Sequence, residues 1–443
     1  MILEVKPSRG LKGRVRVPGD KSISHRAALL GAMGQGVTRI EGFLESEDCL
    51  ATLHCLSLLG TPIKRLGPGS YEIHGQGWDG FQEPNDVLNC GNSGTTMRLL
   101  MGVLAGQPIF SVLTGDASLR TRPMGRVIEP LRSMGAKIFG RAGDTRAPLV
   151  ILGSGNLEGK THLLPVASAQ VKSALLLAGL RAKGITVVTE PGPSRNHTEV
   201  MLQQMGVPVR VDGLTIAVEG GTLPRGGQVI VPGDISSAAY LMVAAAVLPD
   251  SDITIENVGI NSTRAGIIKV LQSMGADLQI EPLPGGGEPK ANIRIRTSHL
   301  RATEIGGSIV PTLIDELPVL AVAAAFAQGT TLVRDAAELR VKECDRIAAV
   351  TQELGRLGVD IEERADGWVI QGGGSLTGGR VSGRGDHRIV MALTVLGLGM
   401  KSPVEIKDAE AISISFPEFV TTLKELGAEI EERAANPQDR QAI

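Results

Sequence analysis

The sequence is poor in the features that mark several large functional classes. Aromatic residues make up only 2% of its 443 residues, too few for the stacking platforms that hold single-stranded nucleic acids. The formal net charge is −2, so no global basic field draws the chain to nucleic acid or to an anionic membrane. The four cysteines, Cys49, Cys55, Cys90 and Cys344, form no C-x-x-C pair, and no zinc site is expected. No apolar run approaches ~18 residues, so no membrane span is expected. The N-terminal MILEVKPSRG lacks the apolar core of a signal peptide. These absences point to a cytoplasmic protein with free thiols. Any anionic ligand has to be met by locally clustered Lys and Arg.

What is present is repetition. A Leu-Gly or Met-Gly step followed by a β-type run occurs at Gly60, Gly135, Gly206, Gly275, Gly358 and Gly427, a spacing of roughly 70 residues that signals a repeat architecture. Amphipathic helical stripes precede most copies. Examples are Val127, Leu131 and Met134; Ile267, Leu271 and Met274; Ile347, Val350, Leu354 and Leu357; and Phe419, Leu423 and Leu426. The glycine then sits where a left-handed residue ends a helix. A second helix of about 12 residues, rich in Ala, Leu, Val and Gly and apolar on nearly every face, is expected to be buried. Its six copies start near Ser22, Ser93, Ser168, Ser236, Asp315 and His387. Six units divide into two groups of three. The tetrapeptide Val-Pro-Gly-Asp occurs twice, at 17–20 and 231–234, three units apart, and marks two crossovers between domains. The expected domains are 1–19 with 235–443, and an inserted 20–234, with hinges near 17–21 and 231–236. The C-terminal RAANPQDRQAI has no periodic pattern and is expected to be loosely ordered.

The starts of the buried helices carry charge. They read DKSISHR (Lys21, Ser22, Arg26), NCGNSGTTMR (Asn92, Ser93, Gly94, Thr95, Arg98), ASAQVKSA (Ser168, Gln170, Lys172), IDELP (Asp315, Glu316) and GDHR (Asp386, His387, Arg388). Ser, Asn and Asp are also ordinary N-caps. Cations recurring in the first turns of otherwise apolar helices favour anion binding, because helix N-termini offer N–H groups and partial positive charge. If the helices run parallel, these ends converge on an electropositive cleft between the domains. Further cations lie in the loops LRTRPMG (Arg120, Arg122), PGPSRNHTE (Arg195) and ELRVKECDR (Arg340, Lys342, Arg346), the last with Glu343 among them. The first junction is followed by Lys21 and the second by Ile235, so the second is expected to be purely structural.

PGDKSISHRA, GNSGTTMRLL, TRPMGR, SAQVKSALLLA, LRVKECDRI and GDHRIVMA together resemble the 5-enolpyruvylshikimate-3-phosphate synthase family over essentially the whole chain. The resemblance implies an α/β (α+β) two-domain enolpyruvyl transferase-like fold: six units of about 70 residues, three per domain, with buried parallel helices and exposed sheets. It implies transfer of the enolpyruvyl group of phosphoenolpyruvate to the 5-hydroxyl of shikimate 3-phosphate, with release of phosphate, in a cleft closed by domain motion. No metal or organic cofactor is implied. The substrates are the only partners implied, with no nucleic acid and no membrane, and a monomer is expected. By motif, Lys21, Ser22, Arg26, Ser168, Gln170, Arg195, Asp315 and Lys342 are implied to hold shikimate 3-phosphate. Lys21, Gly94, Arg122, Gln170, Arg346 and Arg388 are implied to hold phosphoenolpyruvate. Asp315 is implied to accept the 5-hydroxyl proton. Glu343 and Lys21 are the two candidates for proton transfer at C3.

The pattern departs from the enteric type of the family in two places. Ala169 stands where that type has a second serine, and Ile414 where it has a lysine. GDKSIS, RNHTE, SAQVK and NSTR (Asn261 to Arg264) resemble the family's second class, whose members tend to tolerate glyphosate; intermediate or better tolerance is the expectation, although Gly94 keeps a small residue at the glyphosate-facing position. The nearest alternative is a UDP-N-acetylglucosamine enolpyruvyltransferase. That enzyme type usually has a Cys in the loop matching ASLRTRPMG and Lys-Asn after the first strand, whereas here the loop has no Cys and Ser22 follows Lys21. A repeat-built anion-binding protein or an RNA 3′-phosphate cyclase-like protein would need nucleic-acid or interaction signatures that the composition does not supply.

Overall fold

Six glycines end six helices in the same way in the computed structural model, which describes residues 1–374 and 376–434. Gly60, Gly135, Gly206, Gly275, Gly358 and Gly427 all take positive φ, between 81° and 107°. They follow the helices Glu47–Leu58, Gly125–Ser133, His197–Gln204, Gly266–Ser273, Arg346–Arg356 and Phe419–Glu425. An L side chain in that region crowds its own backbone, so glycine lets the chain leave the helix and enter the next strand. The stripes face inward: Val127, Leu131 and Met134, like Ile347, Val350, Leu354 and Leu357, are no more than 1% exposed.

The second helix type is Lys21–Met33, Gly94–Ala105, Ala169–Gly179, Ile235–Val247, Leu317–Phe326 and His387–Leu398. In Leu317–Phe326 every residue up to Ala325 is buried, as a helix with no polar face requires. Small residues bring these helices together. A Cβ on Gly102 would lie 2.2 Å from the Ala174 carbonyl oxygen of the neighbouring helix. At five of these helix starts a side chain accepts from one of the open N–H groups. Asp20 accepts from Ile23, Ser93 from Thr96, Ser168 from Val171, Asp234 from Ser236 and Asp386 from Arg388.

The chain separates into two compact units. One comprises Met1–Pro18, Gly233–Gly285 and the chain from Pro289 onward; the other comprises Gly19–Pro232 with Gly286–Glu288. The division falls inside each Val-Pro-Gly-Asp, after the proline. Residues 286–288, the tip of a hairpin, group with the second unit, where Glu288 pairs with His197 at 2.7 Å. No sequence pattern had marked that tip.

Each unit holds three four-stranded sheets with one shared order. The strand after a buried helix pairs antiparallel with a central strand, which pairs antiparallel with the strand after the amphipathic helix. A fourth strand, parallel to the first, completes the sheet. In Thr161–Leu163, Ile185–Thr189, Thr215–Glu219 and Val209–Asp212, for example, Thr161 faces Val187 in parallel register and Val187 faces Ala217 antiparallel. In four sheets the fourth strand precedes that sheet's own buried helix. At the two junctions it does not. Lys12–Arg16 leads toward Lys21–Met33 yet pairs with Asp252–Gly259. Gln228–Ile230 leads toward Ile235–Val247 yet pairs with Gln35–Glu41. Each junction therefore leaves one sheet and enters a helix of the other unit. The sixth sheet is closed by the N-terminus, where Ile2 of Ile2–Val5 faces Lys407 on one side and Arg433 on the other. Arg433, expected in a loose tail, is thus the end of a strand, and RAANPQDRQAI from residue 435 lies outside the described residues.

Candidate functional site

In the unit built on Gly19–Pro232, the expected residues gather at helix starts. Lys21 opens its helix, and its Nζ lies 3.0 Å from Asp48 Oδ2. Arg195 donates to Ser22 Oγ at 3.3 Å. Arg26 donates from Nε to Thr198 at 2.7 Å, from Nη1 to the Ser22 carbonyl at 2.9 Å and from Nη2 to Ser173 at 2.7 Å. Burial brings its guanidinium down to about 10, with Glu199 opposing and Arg195 adding to the effect. Arg26 thereby ties three segments together, contacts that its sequence position did not disclose. Gln170 accepts from Arg98 and donates to Thr95, both at 2.9 Å. Arg122 donates to Asn92 Oδ1 at 2.7 Å. Gly94 lies beside both cations: a Cβ there would be 2.6 Å from Arg98 Nη1 and 3.6 Å from Arg122 Nη1.

Ser168 has a structural duty as the N-cap of Ala169–Gly179. Its N–H donates to Glu190 at 3.1 Å, and Lys172 pairs with Glu190 and Glu199 at 2.8 Å each. Lys172 is 2% exposed, a buried ammonium that bridges two buried carboxylates. That fixes Ser168 and the chain around Ser194, whose hydroxyl also donates to Glu190.

In the other unit, three helix starts converge. Asp315 stands just before Leu317–Phe326, with Arg346 Nη1 3.4 Å from Oδ1 and Arg264 Nη1 and Arg388 Nη2 3.6 and 3.7 Å from Oδ2. Arg388 also donates to the Asp315 carbonyl at 3.1 Å. Arg346, 1% exposed, donates to Asp386 Oδ2 at 2.8 Å and to Glu343 Oε2 at 2.5 Å. Burial opposes its charge, but Asp386, Glu343 and Asp315 together raise it well above the ordinary arginine value. The same balance raises Arg388, where burial is outweighed by Asp315 and Tyr240. Lys342 sits apart, its Nζ 3.8 Å from Glu338. Ile414 ends a 3-10 turn and packs on the core without a charge.

Arg264, Asp234, Asp386 and Glu316 belong to this cluster but were not among the expected site residues. Asp386 and Glu316 stand in the charged helix starts GDHR and IDELP; nothing local marks Arg264 as a partner of Asp315. Burial and Asp386 push the Cys344 thiol up to about 12, away from the thiolate form. Among the described residues no cluster of His, Cys, Asp and Glu could hold a metal ion, and no helix is long and apolar enough to cross a membrane.

A family model described as EPSP synthase (3-phosphoshikimate 1-carboxyvinyltransferase) matches residues 5–423. The 3-phosphoshikimate 1-carboxyvinyltransferase of Synechococcus elongatus is 54% identical over 421 residues, covering 94% of each chain. That of Pelotomaculum thermopropionicum is 55% identical over 420 residues, covering 95% of this chain and 97% of its own. The structure of EPSP synthase from Acinetobacter baumannii superposes with a TM-score of 0.90 at 44% identity, covering 97% of this chain and 99% of that one. The enolpyruvyl transferase NikO from Streptomyces tendae shares the fold, with a TM-score of 0.78 at 19% identity, covering 98% of this chain and 99% of that one.

Proposed function

The chain belongs to the EPSP synthase family, and from that premise we propose how its residues divide the transfer of an enolpyruvyl group from phosphoenolpyruvate to shikimate 3-phosphate. In the addition, the 5-hydroxyl oxygen of shikimate 3-phosphate bonds to C2 of phosphoenolpyruvate while C3 gains a proton. In the elimination, C3 loses a proton, the bond from C2 to the phosphate oxygen breaks, and phosphate leaves. Asp315 takes the hydroxyl proton. Glu343 exchanges the proton at C3, with Lys21 as the other candidate. Cationic character at C2 is favoured by a nearby carboxylate.

The observation that carries this reading is the place of Glu343 and Asp315 on one guanidinium, that of Arg346. An anion that takes Arg346 has to compete with Glu343. Binding of the phosphoenolpyruvate carboxylate or phosphate then releases Glu343 toward the reacting carbons, and Arg388 completes the clamp with bidentate geometry suited to both groups. Ser22, Arg195, Ser168, Gln170 and Lys342 hold shikimate 3-phosphate. Arg26 supports Ser22 through its carbonyl and acts at the substrate through that contact. Gly94, Arg122 and Gln170 meet phosphoenolpyruvate. The enzyme works as a cytoplasmic monomer without nucleic acid or membrane.

Phosphate release by the purified protein tests the reading. It is expected only with shikimate 3-phosphate and phosphoenolpyruvate together. Release with UDP-N-acetylglucosamine and phosphoenolpyruvate, and none with the first pair, would overturn it.

A further inference from the structure

Arg264 is the cation of the Asp315 cluster that lies on no helix start. It stands two residues before Gly266–Ser273, in a turn fixed by Asn261. Asn261 Oδ1 accepts from the Thr263 N–H at 2.9 Å and from its hydroxyl at 2.7 Å, and the Arg264 N–H donates to the Asn261 carbonyl at 2.8 Å. The side chain is 4% exposed. Nη2 donates to Ser236 Oγ at 2.6 Å and to Asp234 Oδ1 at 3.3 Å, and lies 3.9 Å from Glu316 Oε1. Nη1 lies 3.6 Å from Asp315 Oδ2. Ser236 in turn donates its hydroxyl to Glu316.

Two of these partners belong to the second junction. Asp234 is the last residue of Val231-Pro232-Gly233-Asp234, and its Oδ1 also caps the helix through the Ser236 N–H at 2.8 Å. The first copy carries its charge beside it, on Lys21. The second was expected to be silent because Ile235 follows it. Asp234 and Ser236 both meet Nη2 of a guanidinium whose Nη1 lies 3.6 Å from Asp315 Oδ2. A planar, doubly anchored guanidinium fixes direction as well as charge, which an ammonium does less well.

We infer that Arg264 is a positioning residue for Asp315, anchored by Asp234 and Ser236 of the second junction, that fixes the Oδ2 side of the carboxylate and keeps it ionised for accepting the 5-hydroxyl proton. This rests on the reading of Asp315 given above. The charged and titratable groups around Asp315 are Arg264, Arg346 and Arg388, the carboxylates Asp234, Glu316, Glu343 and Asp386, and the Tyr240 hydroxyl, which faces Arg388 and Glu316. Removing one cation from this group favours the protonated form of Asp315. The acidic limb of the kcat–pH profile should then move to higher pH, a change that loosened packing alone would not produce.

The experiment compares Arg264→Gln, Arg264→Lys, Ser236→Ala and Asp315→Asn by kcat, by KM for both substrates, by the kcat–pH profile and by thermal melting. Arg264→Gln should lower kcat about tenfold or more at pH 7, change either KM by less than about threefold and shift the acidic limb upward. Arg264→Lys should restore the limb position and part of kcat. Ser236→Ala, which removes the 2.6 Å anchor and no charge, should lower kcat about three- to tenfold with unchanged KM. If Asp315→Asn keeps near-normal kcat, the role of Asp315 fails and this inference falls with it. If Asp315→Asn collapses kcat while folded Arg264→Gln keeps both its kcat and its limb, only the inference fails. If Arg264→Gln does not fold, Ser236→Ala decides, and an unchanged kcat there overturns the positioning role.

Discussion

The two copies of Val-Pro-Gly-Asp lead into the same kind of helix and into opposite chemistry. Behind the first lies a cluster of cations and hydroxyls: Lys21, Ser22, Arg195, Arg98 and Arg122, with Asp48 the carboxylate on Lys21. Behind the second lie five carboxylates, Asp234, Asp315, Glu316, Glu343 and Asp386, threaded by Arg264, Arg346 and Arg388. One architecture thus carries mostly cations at the helix starts beside Lys21 in one unit and carboxylates interleaved with arginines in the other, where the proposed proton-transfer residues Asp315 and Glu343 stand. In the proposed reading this is a division of labour between residue types. Substitutions of the carboxylates behind the second junction should act mainly on kcat, and those of the cations behind the first, Lys21 apart, mainly on KM.

The largest expected effect tests the acidic side. Glu343→Gln and Asp315→Asn should each lower kcat by about two to four orders of magnitude while both substrates still bind, as measured by titration calorimetry. Near-normal turnover in either variant would remove that residue from proton transfer. On the cationic side, Arg195→Leu should raise KM for shikimate 3-phosphate about tenfold or more, and Arg122→Leu should do the same for phosphoenolpyruvate, with kcat within about tenfold. A pattern in which these variants lose kcat at constant KM would break the division. Gly94→Ala acts on the same side through a flexible contact. Its methyl group would press on Arg98 Nη1 at 2.6 Å, a guanidinium that also holds Gln170. Arg98 can shift, so the KM for phosphoenolpyruvate should rise only about three- to tenfold, with a parallel rise in the inhibition constant for glyphosate. In the unsubstituted protein, a glyphosate inhibition constant at or below the KM for phosphoenolpyruvate would count against the expected tolerance.

The junction glycines give the next comparison. Both have ordinary φ; what requires glycine is close approach. A Cβ on Gly19 would lie 1.7 Å from the Gly42 carbonyl oxygen, whereas on Gly233 its nearest neighbour is Val17 Cγ2 at 2.8 Å. Backbone cannot yield and a valine rotamer can. Gly19→Ala should therefore destabilise by about 2–4 kcal/mol and Gly233→Ala by about 1 kcal/mol, read from urea unfolding. Equal effects would mean that the first junction has slack that its geometry does not show.

Much of this was legible in the sequence because it is local. The stripe at 347, 350, 354 and 357, the glycine after it and the apolar run of 317–325 each fit within one helix, where periodicity speaks directly. The fourth strands escaped notice where they are only two residues long, as in Leu88–Asn89 and Glu304–Ile305. Their partners lie some 25 residues away, as with Asn89 and Thr114. The exchange of strands at the junctions is invisible for the same reason, since Lys12–Arg16 looks the same whichever sheet it joins. The charged motifs were found, but their engagement was not. Arg26 reads as a substrate cation beside Ser22, yet its partners Ser173 and Thr198 lie 147 and 172 residues away. Arg264 likewise meets Asp315 only where the turn before Gly266–Ser273 packs on the start of Leu317–Phe326.

The smallest expected effect concerns the outer sheet faces, where the units differ again. Of the large hydrophobic side chains exposed among the described residues, all but Val341 lie in the unit of Gly19–Pro232. Phe110 faces Leu152 across one pair of strands, with Phe139 on the next strand opposite Val150. Exposed ion pairs lie on the sheets of both units, such as Arg294 with Asp252 and Arg334 with Glu304 in the other unit and Arg39 with Glu72 in this one. Neither feature should matter much to folding. Phe110 and Phe139 are 45% and 48% exposed, so they gain only part of the burial that makes a core aromatic stabilising. Exposed ion pairs are weakened by water and salt. Phe110→Thr with Phe139→Thr should change stability by less than about 1 kcal/mol and leave kcat and both KM values unchanged, while raising the concentration at which the protein stays dispersed. Loss of turnover in that double variant would tie the apolar face to the anion-binding side of the molecule. That result would mean the division of labour reaches through the sheet and does not stop at the helix starts.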